Sequence, residues 1–135
     1  MSKTVLNLTS FKDELSVFLR DNNLDRNDIF CAELSFDQKD VTRLDREPST
    51  GRENILLRIG YTPENMTEFM ERVTFWYSLN YAGQKIFGTL WFKDGSWAER
   101  YEENGWEEWR YYTRPDVPDY LHVDTQSQRL IMTTN

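Results

Sequence analysis

The chain has 135 residues, enough for one domain that buries most of the surface its unfolded form would expose. Apolar residues make up 39% and aromatic residues 15%, so burial rests on a few large side chains, which favours a sheet over a helical bundle. With 16 basic and 23 acidic residues the net charge is −7, which argues against direct nucleic-acid binding and makes a basic partner the better fit.

The segment Thr4–Leu8 reads as a short strand or an apolar lead onto the core. Ser10, followed by Asp13, has the form of a helix N-cap, and Phe11, Leu15, Phe18 and Leu19 then fall on one helical face. The predicted helix runs from about residue 10 to 22. Residues 29–36 alternate, with Phe30, Ala32, Leu34 and Phe36 on an apolar face and Glu33 and Ser35 opposite, the pattern of a half-buried strand. Residues 37–54 are polar, contain Pro48 and Gly51, and predict a long mobile loop. Residues 54–61 predict a second strand with Ile55, Leu57, Ile59 and Tyr61 on one face, paired with the first as a long-looped hairpin.

Thr62-Pro63-Glu64 starts a second helix, because proline is pre-set for the first helical position. That helix is expected over 63–72, followed by a strand over 73–81 and a turn at Tyr81-Ala82-Gly83. Residues 86–112 then write out two hairpins closed by Asp94-Gly95 and Asn104-Gly105. If both are two-residue turns, residues 93 and 96, 92 and 97, 91 and 98, and 89 and 100 lie opposite each other, as do 103 and 106. In that register both faces mix apolar and polar side chains, with Glu99 opposite Arg110 as an ion pair and Arg100 beside Trp109 as a cation–π contact. After Tyr112 two prolines lead the chain out of the sheet, with one helical turn at 118–121 and a polar tail over 122–135. The expected fold is a single α+β domain over 1–135, a curved antiparallel β-meander with one or two helices packed on one face.

The second turn concentrates charge. Glu102 faces Glu107, and Glu103 and Glu108 stand close by, so four carboxylates crowd one hairpin tip next to Trp106 and Trp109. A solvated tip accounts for such a run, but tryptophan beside charge is also an interface composition. Glu102, Glu103, Trp106, Glu107, Glu108 and Trp109 are therefore the candidate partner-binding residues.

Catalytic signatures are thin. His122 is the sole histidine and Cys31 the sole cysteine, so a His/Cys metal cluster cannot be built and an internal disulfide is excluded. Cys31 reads as a small buried strand residue rather than a nucleophile, and phosphate-binding and nucleophile-elbow motifs are missing from the sequence. No cofactor is expected. A reducing cytoplasm suits the cysteine count, and the sequence lacks both a signal-peptide pattern and an apolar run of the roughly 18 residues that a span needs, so no membrane is expected. Two alternatives stand beside the binding reading. One is a cone-shaped α+β enzyme or ligand binder with an aromatic pocket, using Glu33, Glu99 and Glu102 as acid and base. The other is a self-associating structural protein, a homodimer joined through the exposed meander edge. Arg100, Arg110 and Arg114 near Trp109 and Tyr111 would suit single-stranded nucleic acid, but the surrounding glutamates oppose it.

The string WFKDGSWAERYEENGWEEWRYYTRPDVP, residues 91–118, resembles a hairpin cassette of small uncharacterised bacterial and phage proteins: an aromatic-D-G-S-W core, a following Arg-x-Glu and a closing Pro-x-x-Pro. The resemblance implies a phage or bacterial setting and an inhibitor of the anti-CRISPR or immunity type. On that reading the chain is a non-catalytic acidic protein that occupies a basic surface of a nucleic-acid-handling protein in the host cytoplasm.

Overall fold

A computed structural model of the chain describes residues 8–79 and 83–123. The expected turn at Tyr81-Ala82, the start of the 4–8 lead and the tail beyond residue 123 lie outside the described residues.

Among the described residues the fold is α+β, built as two antiparallel sheets with two helices. Strand β1 (Leu8–Ser10) runs directly into α1 (Phe11–Asp21), where the Asp13 N–H donates to Ser10 Oγ at 3.2 Å. Phe11, Leu15 and Leu19 form the buried stripe of α1. Strand β2 (Ile29–Asp37) follows a 3₁₀ turn whose capping Asp25 accepts from Asn27 N–H. The expected loop then shows order: a 3₁₀ turn at Gln38–Asp40, the two-residue strand β3 (Val41–Thr42), and β4 (Arg52–Leu57). Helix α2 (Pro63–Arg72) starts with a reciprocal capping box between Thr62 and Asn65 and buries Met66, Phe69 and Met70. Strands β5 (Trp76–Ser78), β6 (Phe87–Phe92), β7 (Trp97–Glu103) and β8 (Trp106–Tyr112) complete the sheets, and a 3₁₀ turn covers Asp119–Leu121.

The large sheet has the order β4-β2-β6-β7-β8, so the β2–β4 hairpin docks onto the edge of the meander through β6. Strand β5 does not precede the meander in that sheet. It lies between β1 and β3 in a separate three-stranded sheet, because Tyr77 must reach inward to Glu14 on α1 while Phe75 stacks on Phe11. The expected strand over 54–61 also ends early. Gly60 adopts φ +83°, Ile59 turns out to 66% exposure, and Tyr61 folds back to donate its hydroxyl to the Ile29 carbonyl.

Two irregularities decide which side chains face the helices. A bulge between Ile29 and Cys31 turns Ile29 inward and Phe30 outward, reversing the expected placement of Phe30 with Ala32, Leu34 and Phe36. The first hairpin, moreover, is not closed by a two-residue turn. Gly95 alone has positive φ, +92°, the Phe92 N–H donates to the Ser96 carbonyl, and Lys93, Asp94 and Gly95 form a three-residue loop. Asp94 keeps negative φ and accepts from the Ser96 N–H and hydroxyl, which holds its carboxyl below the ordinary range.

The observed pairs are therefore Trp91 with Trp97, Leu90 with Ala98 and Thr89 with Glu99, one residue from the two-residue expectation. Side chains alternate along a strand, so this single step sorts the faces. Leu90, Phe92, Ala98, Trp109 and Tyr111 now share the inner face with Leu34, Phe36, Ile55 and Leu57, and both helices close over them. Among the described residues, packed side chains, Phe11, Phe36, Phe75 and Trp109 among them, occupy the space between sheet and helices.

Candidate functional site

The second hairpin has the expected tight turn. Asn104 and Gly105 have φ of +54° and +83°, and Glu103 pairs with Trp106 and Glu102 with Glu107. The six candidate residues nonetheless divide between two environments. Glu103, Trp106 and Glu108 point outward, with Trp106 59% exposed. Glu107 is only 4% exposed and Trp109 only 7%, so neither belongs to an outward tip. The pleat is the reason: in β8 the odd-numbered residues face the helices. Glu102 lies across from Glu107 and is half-buried, its carboxylate accepting the Gly105 N–H at 2.8 Å and bracing the turn.

Glu107 is held in the interior by polar partners. Its carboxylate accepts the Lys85 N–H at 2.7 Å and the Ile86 N–H at 3.1 Å, and Arg100 Nη2 stands 3.6 Å away. Arg100 also donates to Glu14 at 2.9 Å and to the Tyr77 hydroxyl at 2.9 Å, while Tyr77 donates to Glu14 at 2.6 Å. The guanidinium lies over the rings of Phe11, Tyr77 and Trp109, so the expected Arg100–Trp109 contact is present at 5.0 Å as part of a larger cage. Burial pushes the Tyr77 phenol up and Glu14 beside it adds to the rise, while Arg100 acts against it. This buried network links α1, β5, β7 and β8, and the sequence spacing gave no sign of it.

On the outer face Glu99 and Arg110 are in register, yet they do not pair. Arg110 turns to Glu103 at 3.4 Å and Glu108 at 3.9 Å and covers the Tyr101 ring, and Glu99 accepts from the Trp97 indole at 3.2 Å. Trp97 stacks on Tyr112 at 5.5 Å, and Trp91 and Cys31 continue that row across β6 and β2. Phe30, Leu56, Phe87 and Trp91 are each between 39% and 45% exposed. The outer face of the large sheet is thus rich in aromatic side chains and is interspersed with Glu33, Glu99, Glu103 and Glu108, and no described helix covers it. Sequence reasoning missed this surface because it depends on the register of the first hairpin. The signal was available: only a three-residue loop puts Leu90, Phe92, Ala98, Trp109 and Tyr111 on one side.

Other candidates separate in space. Glu33 and Glu99 share the outer face, whereas Glu102 lies on the inner side, so the three do not converge as an acid–base set. The Arg100 side chain is fully enclosed, which removes it from any phosphate-binding row with Arg110 and Arg114. Cys31 is half-buried beside the bulge, and burial, aided by Glu33, pushes its thiol up, which disfavours the reactive thiolate. His122 is exposed, and its ring nitrogen meets the Val117 carbonyl. Among the described residues there is no group of three metal-ligating side chains, and no helix is long and apolar enough to cross a membrane. No protein family, curated protein or solved structure matches the chain.

Proposed function

We propose that this chain is a non-catalytic acidic binding protein, of the bacterial or phage inhibitor type, that occupies a basic surface of a nucleic-acid-handling protein. The observation that carries the reading is the uncovered outer sheet face, where Trp91, Phe30 and Phe87 stand exposed among Glu33, Glu99 and Glu103. Aromatic side chains on a rigid sheet bury large area at low entropic cost, and the surrounding carboxylates steer a basic partner toward them. The net charge of −7 acts in the same direction at longer range. Compared with the hairpin tip alone, the recognition surface moves to the middle of the sheet, with Glu103 and Trp106 at its margin.

The test is affinity capture from host lysate with the wild-type chain, W91S and E99K/E103K in parallel at low and high salt. A specific partner should be a basic protein, lost with W91S and bound more slowly by E99K/E103K, with the difference shrinking as salt rises. A partner retained equally by all three proteins at both salt concentrations would remove the reading.

A further inference from the structure

Strand β8 is an edge of the large sheet, and its seven residues contain no proline, glycine or bulge. The closing pair of a two-residue turn, Glu103 and Trp106, exchanges both main-chain hydrogen bonds, and so does every second pair beyond it. The main-chain groups of Glu107, Trp109 and Tyr111 therefore point away from β7. Among the described residues none of them bonds to another main-chain segment. The opposite edge is treated differently, since the Asn54 carbonyl on β4 accepts from Arg72 on α2 at 3.0 Å. A long unprotected edge is a template for one more strand.

We infer that the added strand is β8 of a second copy, paired antiparallel about a two-fold axis at Trp109. In that register all seven residues pair, and the three outward main-chain positions meet one another: Glu107 with Tyr111 of the second copy, Trp109 with its own counterpart. The outer face then places Glu108 opposite Arg110 and Trp106 opposite Tyr112, each twice by symmetry. These are non-hydrogen-bonded pairs, the type in which side chains approach most closely. Moving the two-fold axis by one residue either way, which slides the register by two, sets Glu108 against Glu108 or Arg110 against Arg110. The strand is thus complementary in charge to itself in the one register that also uses its full length. Glu108 is held weakly within its own chain, 3.9 Å from Arg110, and is available to the second copy. The pairing leaves both outer faces on one side, so it enlarges the proposed recognition surface but does not depend on it.

Sedimentation over a concentration series tests this. The wild-type chain should show a monomer–dimer equilibrium. E108R and R110E, each placing like charges opposite across the axis, should raise the dimer dissociation constant about tenfold or more, and the swap E108R/R110E should restore it to within about threefold. Circular dichroism of each variant reports whether the monomer remains folded, and the swap restores pairing only if residues 108 and 110 face each other. A wild-type chain that stays monomeric throughout, or a dimer indifferent to the single reversals, would overturn the inference. Partner capture with W91S is read separately, so failure of one proposal leaves the other standing.

Discussion

Arg100, at the centre of β7, places Nη1 2.9 Å from Glu14 Oε2 on α1 while its own side chain has no solvent exposure. A charge taken out of water in this way is tolerable only because carboxylates, a phenol and three rings surround it. Removing Glu14 takes away the nearer carboxylate and leaves the guanidinium with Glu107 at 3.6 Å. Glu14→Ala should therefore cost about 3–5 kcal/mol, with Glu14→Gln costing less, as read from urea denaturation midpoints.

The same cluster makes stability fall at alkaline pH. The Tyr77 phenol is raised above its ordinary value of 10.0, chiefly by burial, so the folded state keeps a proton that the unfolded chain releases. Its contribution is fully present below about pH 10 and is lost as pH rises above that. Tyr61 and Tyr101 are raised as well and add to the slope. Tyr77→Phe should reduce the alkaline slope of unfolding free energy by about one proton per molecule. An unchanged slope would show that Tyr77 does not carry it.

The glutamates beside the second turn, on β7 and β8, should respond differently to truncation. Glu107→Ala strands two main-chain N–H groups and leaves Arg100 with one carboxylate fewer, and it should cost about 2–4 kcal/mol. Glu103→Ala and Glu108→Ala remove exposed side chains and should stay within about 0.5 kcal/mol of wild type. Thermal melts of the three variants check the split.

Gly88 sits where β6 passes β2, with φ +154°. A Cβ there would lie 2.4 Å from the Glu33 carbonyl oxygen and 2.5 Å from Leu34 Cδ2. The first neighbour is main chain and cannot swing aside. Gly88→Ala should destabilise by about 2–3 kcal/mol, with lost amide protection concentrated in β2 and β6.

Cys31 should alkylate slowly. Its thiol is raised by burial and by Glu33, so the reactive thiolate is scarce near neutral pH. Iodoacetamide labelling of the folded chain should run well below the rate of a free cysteine and should accelerate in Glu33→Gln. Labelling at the free-thiol rate would contradict this.

Local features of the sequence determined much of the fold. Ser10 and Thr62-Pro63 mark helix starts that the structure shows at Phe11 and Pro63, and Asn104-Gly105 closes its hairpin with the expected partners. These signals are legible because capping and positive-φ turns depend on groups only a few residues apart. The four-carboxylate tip was legible as composition only, since the pleat sends Glu107 inward and Glu108 outward.

Tertiary structure alone decided the rest. Asp94-Gly95 accommodates either a two- or a three-residue loop, and what selects the longer one is the gain from placing Leu90, Ala98 and Tyr111 together against the helices. The bulge that turns Phe30 outward, the removal of Tyr77 to a second sheet and the enclosure of Arg100 with Glu14 and Glu107 follow from burial shared among distant segments. No sequence window contains those partners, because long-range packing and the cost of an unpaired buried charge are settled only when the whole core closes.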